Sequence, residues 1–265
     1  GLRICAGGRR AKRPMSLKPD LAKTRAAARL LYDAYQAGSI LGTIEMPEAI
    51  PPGVAAGSLE HVIFVTLTIS IDYQRDAVDL WERARITYED EETRYLFDPH
   101  ALREASHEQV RAGMLKHGLC KKPNKDARIW RTVGASFAAK WAGDPRLFLA
   151  ACGWDAPTIL RRLRDATHSA GGVERPDFPY LRGPKIGPLW VKTLQDYGGV
   201  TIQHMELLPM PVDVHIARAS LALGVLRGKH EGTINDIRER LHEAWFEAVK
   251  GLPAAGRSMI AVDVN

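Results

Sequence analysis

Apolar residues recur every three to four positions along most of the chain, the spacing that buries one face of an α-helix. The alternation typical of a half-buried strand is weak everywhere except over residues 259–264. The pattern therefore predicts an all-α fold. Helices are expected over residues 20–35, 59–70, 75–88, 99–105, 107–117, 123–142, 144–151, 156–167, 213–226 and 234–250, with helix-turn-helix character over residues 184–196.

Residues that favour the ends of helices separate these segments. Ser58 and Asp213 each precede an apolar periodic run, where a side-chain oxygen can accept a hydrogen bond from a free backbone N–H. Residues 43–57 and 169–179 are rich in proline and glycine and are predicted to be loops. Residues 72–74 are predicted to form a short corner between two helices.

The positive charge of the chain is unevenly distributed. The formal net charge is +6, and five cations with no acidic residue lie within residues 1–14. Most of the excess therefore belongs to this segment, which we interpret as a disordered basic leader with Met15 as a possible start, and residues 15–265 are nearly neutral. Binding to nucleic acid would have to come from local clusters of basic residues and not from the charge of the whole chain.

Composition excludes several classes of protein. No run of about 18 apolar residues is present, so no membrane-spanning segment is predicted. Cys5, Cys120 and Cys152 are too far apart to indicate a disulfide framework or a zinc site. No apolar segment typical of a signal peptide follows the basic N-terminus. We therefore expect a cytoplasmic, monomeric protein without a metal or cofactor.

Two segments are informative in combination. Residues 181–192 read Leu-Arg-Gly-Pro-Lys-Ile-Gly-Pro-Leu-Trp-Val-Lys, and residues 211–218 read Pro-Val-Asp-Val-His-Ile-Ala-Arg. Alone, a glycine turn between helices or an aspartate before a helix is usually structural. In this order the segments resemble the helix-hairpin-helix (HhH-GPD) superfamily of DNA glycosylases. The second segment looks most like the archaeal type of 8-oxoguanine DNA glycosylase/lyase, and the spacing of Lys185 from Val191-Lys192 matches that branch.

The resemblance covers residues 58–228 and implies a fold and a set of roles. It implies two helical lobes in one unit, with a helix-hairpin-helix motif and a DNA-binding cleft between the lobes. The backbone amides of Gly183 and Gly187 would bind a DNA phosphate. Lys185 would be the nucleophile and Asp213 the catalytic carboxylate. The usual family motif would put its lysine where this chain has Gly187, so Lys192 remains a reserve nucleophile and DNA contact. The iron–sulfur branch is excluded because its four clustered cysteines are absent.

The residue types suit the cleavage of an N-glycosidic bond. Positive charge develops at the sugar C1′, and a nearby carboxylate such as Asp213 stabilises it. The N-terminus of a helix favours the ionised form of that carboxylate. The amine of Lys185 can attack C1′ and form a Schiff base if burial against Pro184, Ile186, Pro188 and Trp190 lowers its pKa. If neither lysine reacts, Asp213 could instead activate a water.

The target base must leave the double helix before its bond can be reached. By position, the corner residues Asp72 and Tyr73 are candidates to contact DNA and fill the gap. Trp190 and His215, or else Trp130 and Trp154, are candidates to stack on the extruded base, although a role in core packing is the common alternative for such side chains. A basic cluster could bind phosphates or could be a solvated helix face. It comprises Lys121, Lys122, Lys125, Arg128 and Arg131.

Three functions are compatible with the sequence. The first is a glycosylase for double-stranded DNA with a modified base, 8-oxoguanine-like by resemblance, with possible activity as a lyase at abasic sites. The second is a glycosylase that removes bulky modified bases from foreign DNA. The third is a non-catalytic module that binds DNA or RNA, which would be favoured if Asp213 were buried in an ion pair away from any cleft.

Overall fold

The computed structural model describes residues 17–38, 50–228, 233–250 and 252, and within them the chain is mostly helical, as predicted. The α-helices are α1 (Leu21–Gln36), α2 (Leu59–Ser70), α3 (Ala77–Glu89), α4 (Pro99–Glu104), α5 (His107–Lys116), α6 (Pro123–Trp141), α7 (Pro145–Ala151), α8 (Ala156–Asp165), α9 (Ile186–Asp196), α10 (Val214–Ala222) and α11 (Ile234–Val249). Short 3-10 helices lie at Arg94–Phe97 and Met205–Leu207.

The predicted helix starts are confirmed by hydrogen bonds to the capping side chains. Ser58 Oγ accepts from the backbone N–H of His61 at 3.2 Å. Asp98 caps α4 in the same way, and Asp213 caps α10. Each cap satisfies a backbone donor that the first turn of a helix leaves without an internal partner.

Four short strands were not predicted. Strands β2 (Thr167–Ala170) and β3 (Val173–Pro176) form an antiparallel hairpin where a loop was expected, and β1 (Lys18–Pro19) pairs with β4 (Leu226–Arg227). Gly171 and Gly172 form the hairpin turn with φ of +60° and +76°. The hairpin is largely exposed on both faces, so its sequence lacks the apolar alternation by which a half-buried strand is recognised.

Two further sequence predictions differ from the structure, and two fall outside the described residues. Residues 184–196 do not form a helix-turn-helix, because a turn leads into the single helix α9. Helix α10 ends at Ala222 and not at residue 226, since Gly224 follows with φ +73° and the chain then enters β4. The strand expected over residues 259–264 and the basic leader, residues 1–14, lie outside the described residues.

Helices α2 to α9 enclose the larger of two clusters of buried apolar side chains. Its centre is aromatic: Phe137 packs against Phe148 and Phe178, with ring centroids 6.2 and 4.9 Å apart. Trp190 from α9 is fully buried here, and its indole N–H donates to Thr66 Oγ1 of α2 at 3.0 Å. This cluster therefore fixes the position of α9 against α2.

Helices α1, α10 and α11 enclose the second cluster, which brings together the two ends of the described chain. Trp245 of α11 is buried there, and its indole N–H donates to Ser220 Oγ of α10 at 2.9 Å. The pairing of β1 with β4 closes this cluster beside the ion pair of Asp20 with Arg227, whose Nε lies 2.6 Å from the carboxylate. The start of α1 and the end of α10 are thus held by one set of contacts.

The cysteines and the helix lengths bear on the classes of protein that the composition excludes. Cys120 and Cys152 are free thiols in the larger cluster, and Cys5 lies outside the described residues. No helix in the described ranges combines the length and the apolar character needed to cross a membrane.

A contact between two glycines joins the loop before α2 to the chain after α9. Gly57 and Gly199 both have left-handed backbones, with φ of +75° and +65°. A Cβ added at Gly199 would lie 2.9 Å from the Cα of Gly57, a distance that a real side chain cannot adopt without movement of the backbone. A Cβ at Gly57 would also be close, at 3.3 Å from the Cα of Gly199, so Gly199 is the more restricted position.

We expect Gly199→Ala to lower the free energy of unfolding by about 2–4 kcal/mol, because left-handed strain adds to the clash with Gly57. Gly153→Ala is the matched control: its φ is +66°, but nothing lies within 4 Å of the added methyl group, so it should lose only about 1–2 kcal/mol. Urea unfolding of both variants measures the difference. Equal losses would show that the loop moves away at little cost.

Candidate active site

Lys185 and Asp213, which the sequence nominates as the catalytic pair, meet in the structure. Lys185 directly precedes α9, and Asp213 directly precedes α10. The Lys185 Nζ lies 3.5 Å from Asp213 Oδ2. The side chains are 35% and 18% exposed, so the pair remains within reach of solvent. The fold thus brings together two residues that are distant in sequence, each at the first turn of a helix.

Hydrogen bonds from the backbone fix the carboxylate of Asp213. Its Oδ1 accepts from the N–H groups of His215 at 2.8 Å and Ile216 at 3.0 Å. These two bonds hold the carboxylate at the N-terminus of α10. With Oδ1 occupied in this way, Oδ2 is the oxygen that faces Lys185.

A tight turn carries Lys185, and it corrects one sequence prediction. The N–H of Gly183 donates to the carbonyl of Tyr180 at 2.8 Å, and the N–H of Gly187 donates to the carbonyl of Gly183 at 3.0 Å. Gly187 is also buried. The prediction that these two amides bind a DNA phosphate is therefore wrong for this conformation, since both are already donating within the chain.

Both glycines are required by the packing of this turn. A Cβ at Gly187 would lie 2.7 Å from the carbonyl oxygen of Leu181, and one at Gly183 would lie 2.9 Å from that of Tyr180. The glycine spacing that drew attention in the sequence therefore shapes the backbone before Lys185. Glycine is needed at both positions because the backbone of this turn passes too close to itself for a side chain.

Asp72 is a third charged residue whose field reaches this pair. It lies at the corner after α2, and it is partly buried. Its carboxylate makes no hydrogen bond or ion pair with any described residue. Burial raises the pKa of Asp72, and the nearby charge of Asp213 acts in the same direction, whereas Lys185 and Arg75 act to lower it. The two aspartates therefore differ in environment.

Tyr73, the second corner residue, is held on its ring and on its hydroxyl. The ring stacks on Tyr180, with centroids 4.5 Å apart and planes inclined by 26°. The hydroxyl donates to Asp126 Oδ1. Burial and this hydrogen bond raise the pKa of Tyr73 well above its ordinary value. Tyr73 could fill a gap in DNA only by breaking both contacts, so in this conformation its role is to fix the corner against the turn that carries Lys185.

Asp126 organises the approach to the corner. Its buried carboxylate accepts the Tyr73 hydroxyl and, through Oδ2, the backbone N–H groups of Lys121 and Lys122, each at 2.8 Å. Gln74, whose φ is +54°, accepts from the side chains of the same two lysines. The corner and the start of α6 therefore form one hydrogen-bonded unit.

The basic residues predicted to form a cluster between residues 121 and 131 have different environments in the structure. Lys125 Nζ lies 4.6 Å from the ring centroid of Tyr73 and 4.5 Å from that of Tyr180. Arg128 is exposed. Arg131, in contrast, donates through Nε to the carbonyl of Ala105 at 2.5 Å and serves the packing of α6. Lys121, Lys122, Lys125 and Arg128 are at least partly exposed, although the ammonium groups of Lys121 and Lys122 also donate to Gln74.

Lys192, the reserve candidate, has a partner on its own helix. It forms an ion pair with Asp196, one turn further along α9, with 2.5 Å between Nζ and Oδ2. This local partner differs from that of Lys185, which is paired with Asp213.

The two predicted base-pocket residues have different outcomes. Trp190 is fully buried in the larger cluster, so the prediction that it stacks on a base is wrong in this structure. Trp130, an alternative, is fully buried as well. His215 is exposed on the first turn of α10, beside Asp213, and stays a candidate for contact with the substrate. Trp154, which was the other alternative, is partly buried.

Other features of the described residues do not add to this site. A cavity of about 520 Å³ is lined by residues other than the predicted ones: Asp79, Arg83, Ile86, Lys116, His117 and Gly118. No group of three or more His, Cys, Asp or Glu side chains among the described residues could hold a metal ion.

Sequence reasoning missed three residues that shape the site. Asp126 carries a recognisable signal, because an acidic residue in the first turn of a helix is well placed to accept backbone N–H groups. Gln74 and Tyr180 have no local signal. Their left-handed backbones and their contacts with Lys122 and Tyr73 arise only when distant segments come together.

No protein-family model and no curated protein matches the chain significantly. A function must therefore be inferred from the residues and their arrangement.

We expect Asp126→Ala to lower the free energy of unfolding by about 2–4 kcal/mol, because two backbone N–H groups and a phenol lose a buried anionic acceptor. The control Tyr73→Phe removes one of these donors and keeps the stacked ring, so it should lose about 1 kcal/mol. Urea unfolding measures both. An Asp126→Ala protein as stable as Tyr73→Phe would contradict the central role of the carboxylate.

Proposed function

We propose that this protein is a DNA glycosylase that extrudes and excises a modified base from double-stranded DNA, with Lys185 as nucleophile and Asp213 as the stabilising carboxylate. The observation that carries the proposal is the pairing of Lys185 Nζ with Asp213 Oδ2 at 3.5 Å. Sequence resemblance to the helix-hairpin-helix glycosylases nominated the same two residues, which are 28 positions apart. We expect the protein to act as a cytoplasmic monomer without a cofactor.

The chemistry follows from what each side chain can do. In the neutral form, the amine of Lys185 attacks C1′ as the bond between the sugar and the base breaks with its electrons on the base. The ionised carboxylate of Asp213 stabilises the positive charge that develops on the sugar. Ring opening then gives a Schiff base, and β-elimination from this intermediate cleaves the strand. The leaving base takes up one proton.

The surroundings of the pair suit a nucleic acid. The exposed Arg128 and the ammonium groups of Lys121, Lys122 and Lys125 lie along the start of α6, which hydrogen bonds fix to the corner after α2. Asp72 in this corner is influenced by the charges of Lys185 and Asp213. Phosphates bound by the lysines would therefore pass close to the reacting pair. We propose that this surface, together with the two clusters of helices, forms the DNA-binding cleft.

The exposure of the pair favours an enzyme over a non-catalytic module. A silent module would be supported by an Asp213 buried in its ion pair, but the Lys185 and Asp213 side chains are 35% and 18% exposed. An 8-oxoguanine-like base is favoured by resemblance alone. Removal of bulky bases from foreign DNA remains the alternative, because no residue in the described structure identifies the base.

A panel of labelled duplex oligonucleotides tests the proposal directly. Each duplex carries one modified base, such as 8-oxoguanine, uracil or a bulky substituted pyrimidine, and each is incubated with and without borohydride. Release of a base identifies the substrate, and a covalent adduct in borohydride reports the Schiff base. No release from any duplex at stoichiometric enzyme would contradict the proposal.

On the substrate so identified, we expect Asp213→Asn to lower the rate of base release by about 10²-fold or more, because the charge facing C1′ is lost. DNA binding should change by only a few fold.

Lys185→Ala should abolish the borohydride adduct, while Lys192→Ala, which alters a lysine paired with Asp196, should retain it. Loss of the adduct in Lys192→Ala alone would transfer the role to Lys192. Base release without any adduct in the wild type would indicate a water nucleophile.

Reversal of charge tests the DNA-binding surface. The double variant Lys125→Glu and Arg128→Glu should weaken binding to all duplexes alike and should flatten the dependence of the dissociation constant on salt, because fewer counterions are released. Arg161→Glu with Arg164→Glu is a matched control on α8, with the same spacing and exposed side chains. Fluorescence anisotropy over a range of salt concentrations measures both. Equal effects of the two pairs would show that α6 does not face DNA.

A further inference from the structure

Lysines at the start of α6 have neutral partners, whereas several other lysines of the described chain are paired with carboxylates. Lys116 and Lys192 lie 2.6 and 2.5 Å from an aspartate oxygen. Lys121 and Lys122 donate instead to the backbone carbonyl and to the side-chain amide oxygen of Gln74. No carboxylate among the described residues forms an ion pair with these two ammonium groups, so their positive charge is not neutralised by direct contact.

A third lysine of this segment, Lys125, contacts a pair of stacked tyrosines. The ring centroids of Tyr73 and Tyr180 lie 4.5 Å apart, and the Nζ of Lys125 lies 4.6 and 4.5 Å from them. The Nζ of Lys122 lies 5.5 Å from the ring centroid of Tyr73. Both tyrosines are partly exposed. Two ammonium groups and two aromatic rings therefore meet at one place on the surface.

The backbone on each side of this pair is strained. Tyr180 has φ +68°, and Gln74, next to Tyr73, has φ +54°, in the left-handed region that residues other than glycine rarely adopt. The buried carboxylate of Asp126 accepts the Tyr73 hydroxyl and the backbone N–H of Lys122. Strained residues concentrate at binding sites, where surrounding contacts maintain them. The rings and the lysine backbone are thus held in place before any ligand binds, which lowers the entropic cost of binding.

We propose that this surface is a binding site for an unpaired nucleotide. The phosphate would accept hydrogen bonds from the ammonium groups of Lys122 and Lys125, and the base would lie against the rings of Tyr73 and Tyr180. The inference goes beyond the proposed function, because it concerns an unpaired base and requires no reaction at Lys185.

The two parts of the surface match the two parts of a nucleotide. An ammonium group binds phosphate oxygens through charge-assisted hydrogen bonds, which are stronger than its contact with a partly exposed ring. A phosphate therefore draws Lys125 away from the tyrosines and frees part of their surface. Every base has a face that can stack on such a ring, but in a duplex neighbouring bases cover that face. An acidic peptide would use the lysines and leave the rings without a partner.

Single strands with and without bases test the inference. One probe is a strand of about ten thymidines, and the other has the same number of phosphates but abasic residues throughout. Fluorescence anisotropy measures the dissociation constant of the full chain for each probe. We expect the thymidine strand to bind at least about tenfold more tightly, because only this strand can stack. Equal affinities would show that the surface recognises phosphates alone and would overturn the inference.

Tyr180→Leu separates stacking from charge. It should weaken binding of the thymidine strand about tenfold and remove the preference over the abasic strand, while the salt dependence stays unchanged. Tyr180→Phe is the matched control and should bind as the wild type does. It keeps the ring, and the Tyr180 hydroxyl makes no hydrogen bond with a described residue. A Tyr180→Leu protein that keeps the preference for thymidine would contradict the site.

Lys125→Gln tests the contact with phosphate. Loss of one phosphate contact should reduce the slope of log Kd against log salt concentration by about 0.7. Lys116→Gln is the matched control, because this lysine is already paired with Asp90 and Glu92, and it should leave the slope unchanged. Equal slopes in the two variants would overturn the role of Lys125.

Binding of a fully paired duplex separates this inference from the proposed function. Tyr180→Leu should bind that duplex as the wild type does, and equal weakening for the duplex and the single strand would overturn the inference. If the wild type releases no base from any duplex but prefers the thymidine strand through Tyr180, only the proposed function is overturned. Competition by poly-glutamate as strong as that by the thymidine strand would indicate an acidic peptide and would also overturn the inference.

A measurement on the wild type covers the case of a variant that does not fold. Thermal melting verifies that Tyr180→Leu is folded. Should it be unfolded, a strand that carries iodouracil is crosslinked to the wild type by ultraviolet light, and the adduct is mapped by mass spectrometry. We expect the adduct at Tyr180 or Tyr73, and an adduct at neither ring would contradict the inference.

Discussion

The rest of the structure depends on the crossing of the chain between two hydrophobic clusters. Leu208 is buried in the larger cluster and Met210 in the smaller one, so Pro209 alone separates them. Asp213 begins α10 shortly after this crossing. Lys185 begins α9, whose Trp190 is buried in the larger cluster. The ion pair of Lys185 with Asp213 therefore joins the first turns of helices that belong to different cores, and its geometry is maintained by the packing of both.

Most of the helices could be predicted from the sequence because their signals are local. Ser58 and Asp213 mark helix starts because their side-chain oxygens accept hydrogen bonds from the nearest backbone N–H groups, and the apolar spacing gives the lengths. The hairpin β2–β3 gave no such signal, because neither of its faces is buried. The end of α10 was placed too late since its limit, the pairing of β4 with β1, involves a strand at the opposite end of the chain.

The site was predictable in its charged pair and not in its surroundings. Lys185 and Asp213 follow from a motif, and their meeting needs only that two helix starts converge. Trp190 was placed wrongly because a tryptophan near a candidate lysine has the same sequence signature whether it faces the core or a substrate. The glycine amides were placed wrongly because a turn can use its own carbonyls as acceptors. The position of Tyr73 depends on its stacking with Tyr180, which lies far away in sequence.

The two candidate lysines illustrate why tertiary pairing matters for reactivity. Lys192 and Asp196 are one helical turn apart, so their ion pair can form in an isolated helix. Lys185 meets Asp213 only when both clusters have formed, and the 3.5 Å between Nζ and Oδ2 exceeds the length of about 2.7–2.9 Å of a charge-assisted hydrogen bond. The ammonium is thus oriented by its partner without being firmly bound to it. In the proposed reaction the sugar would have to enter between the two groups, so this pair must first open by rotation of its partly exposed side chains.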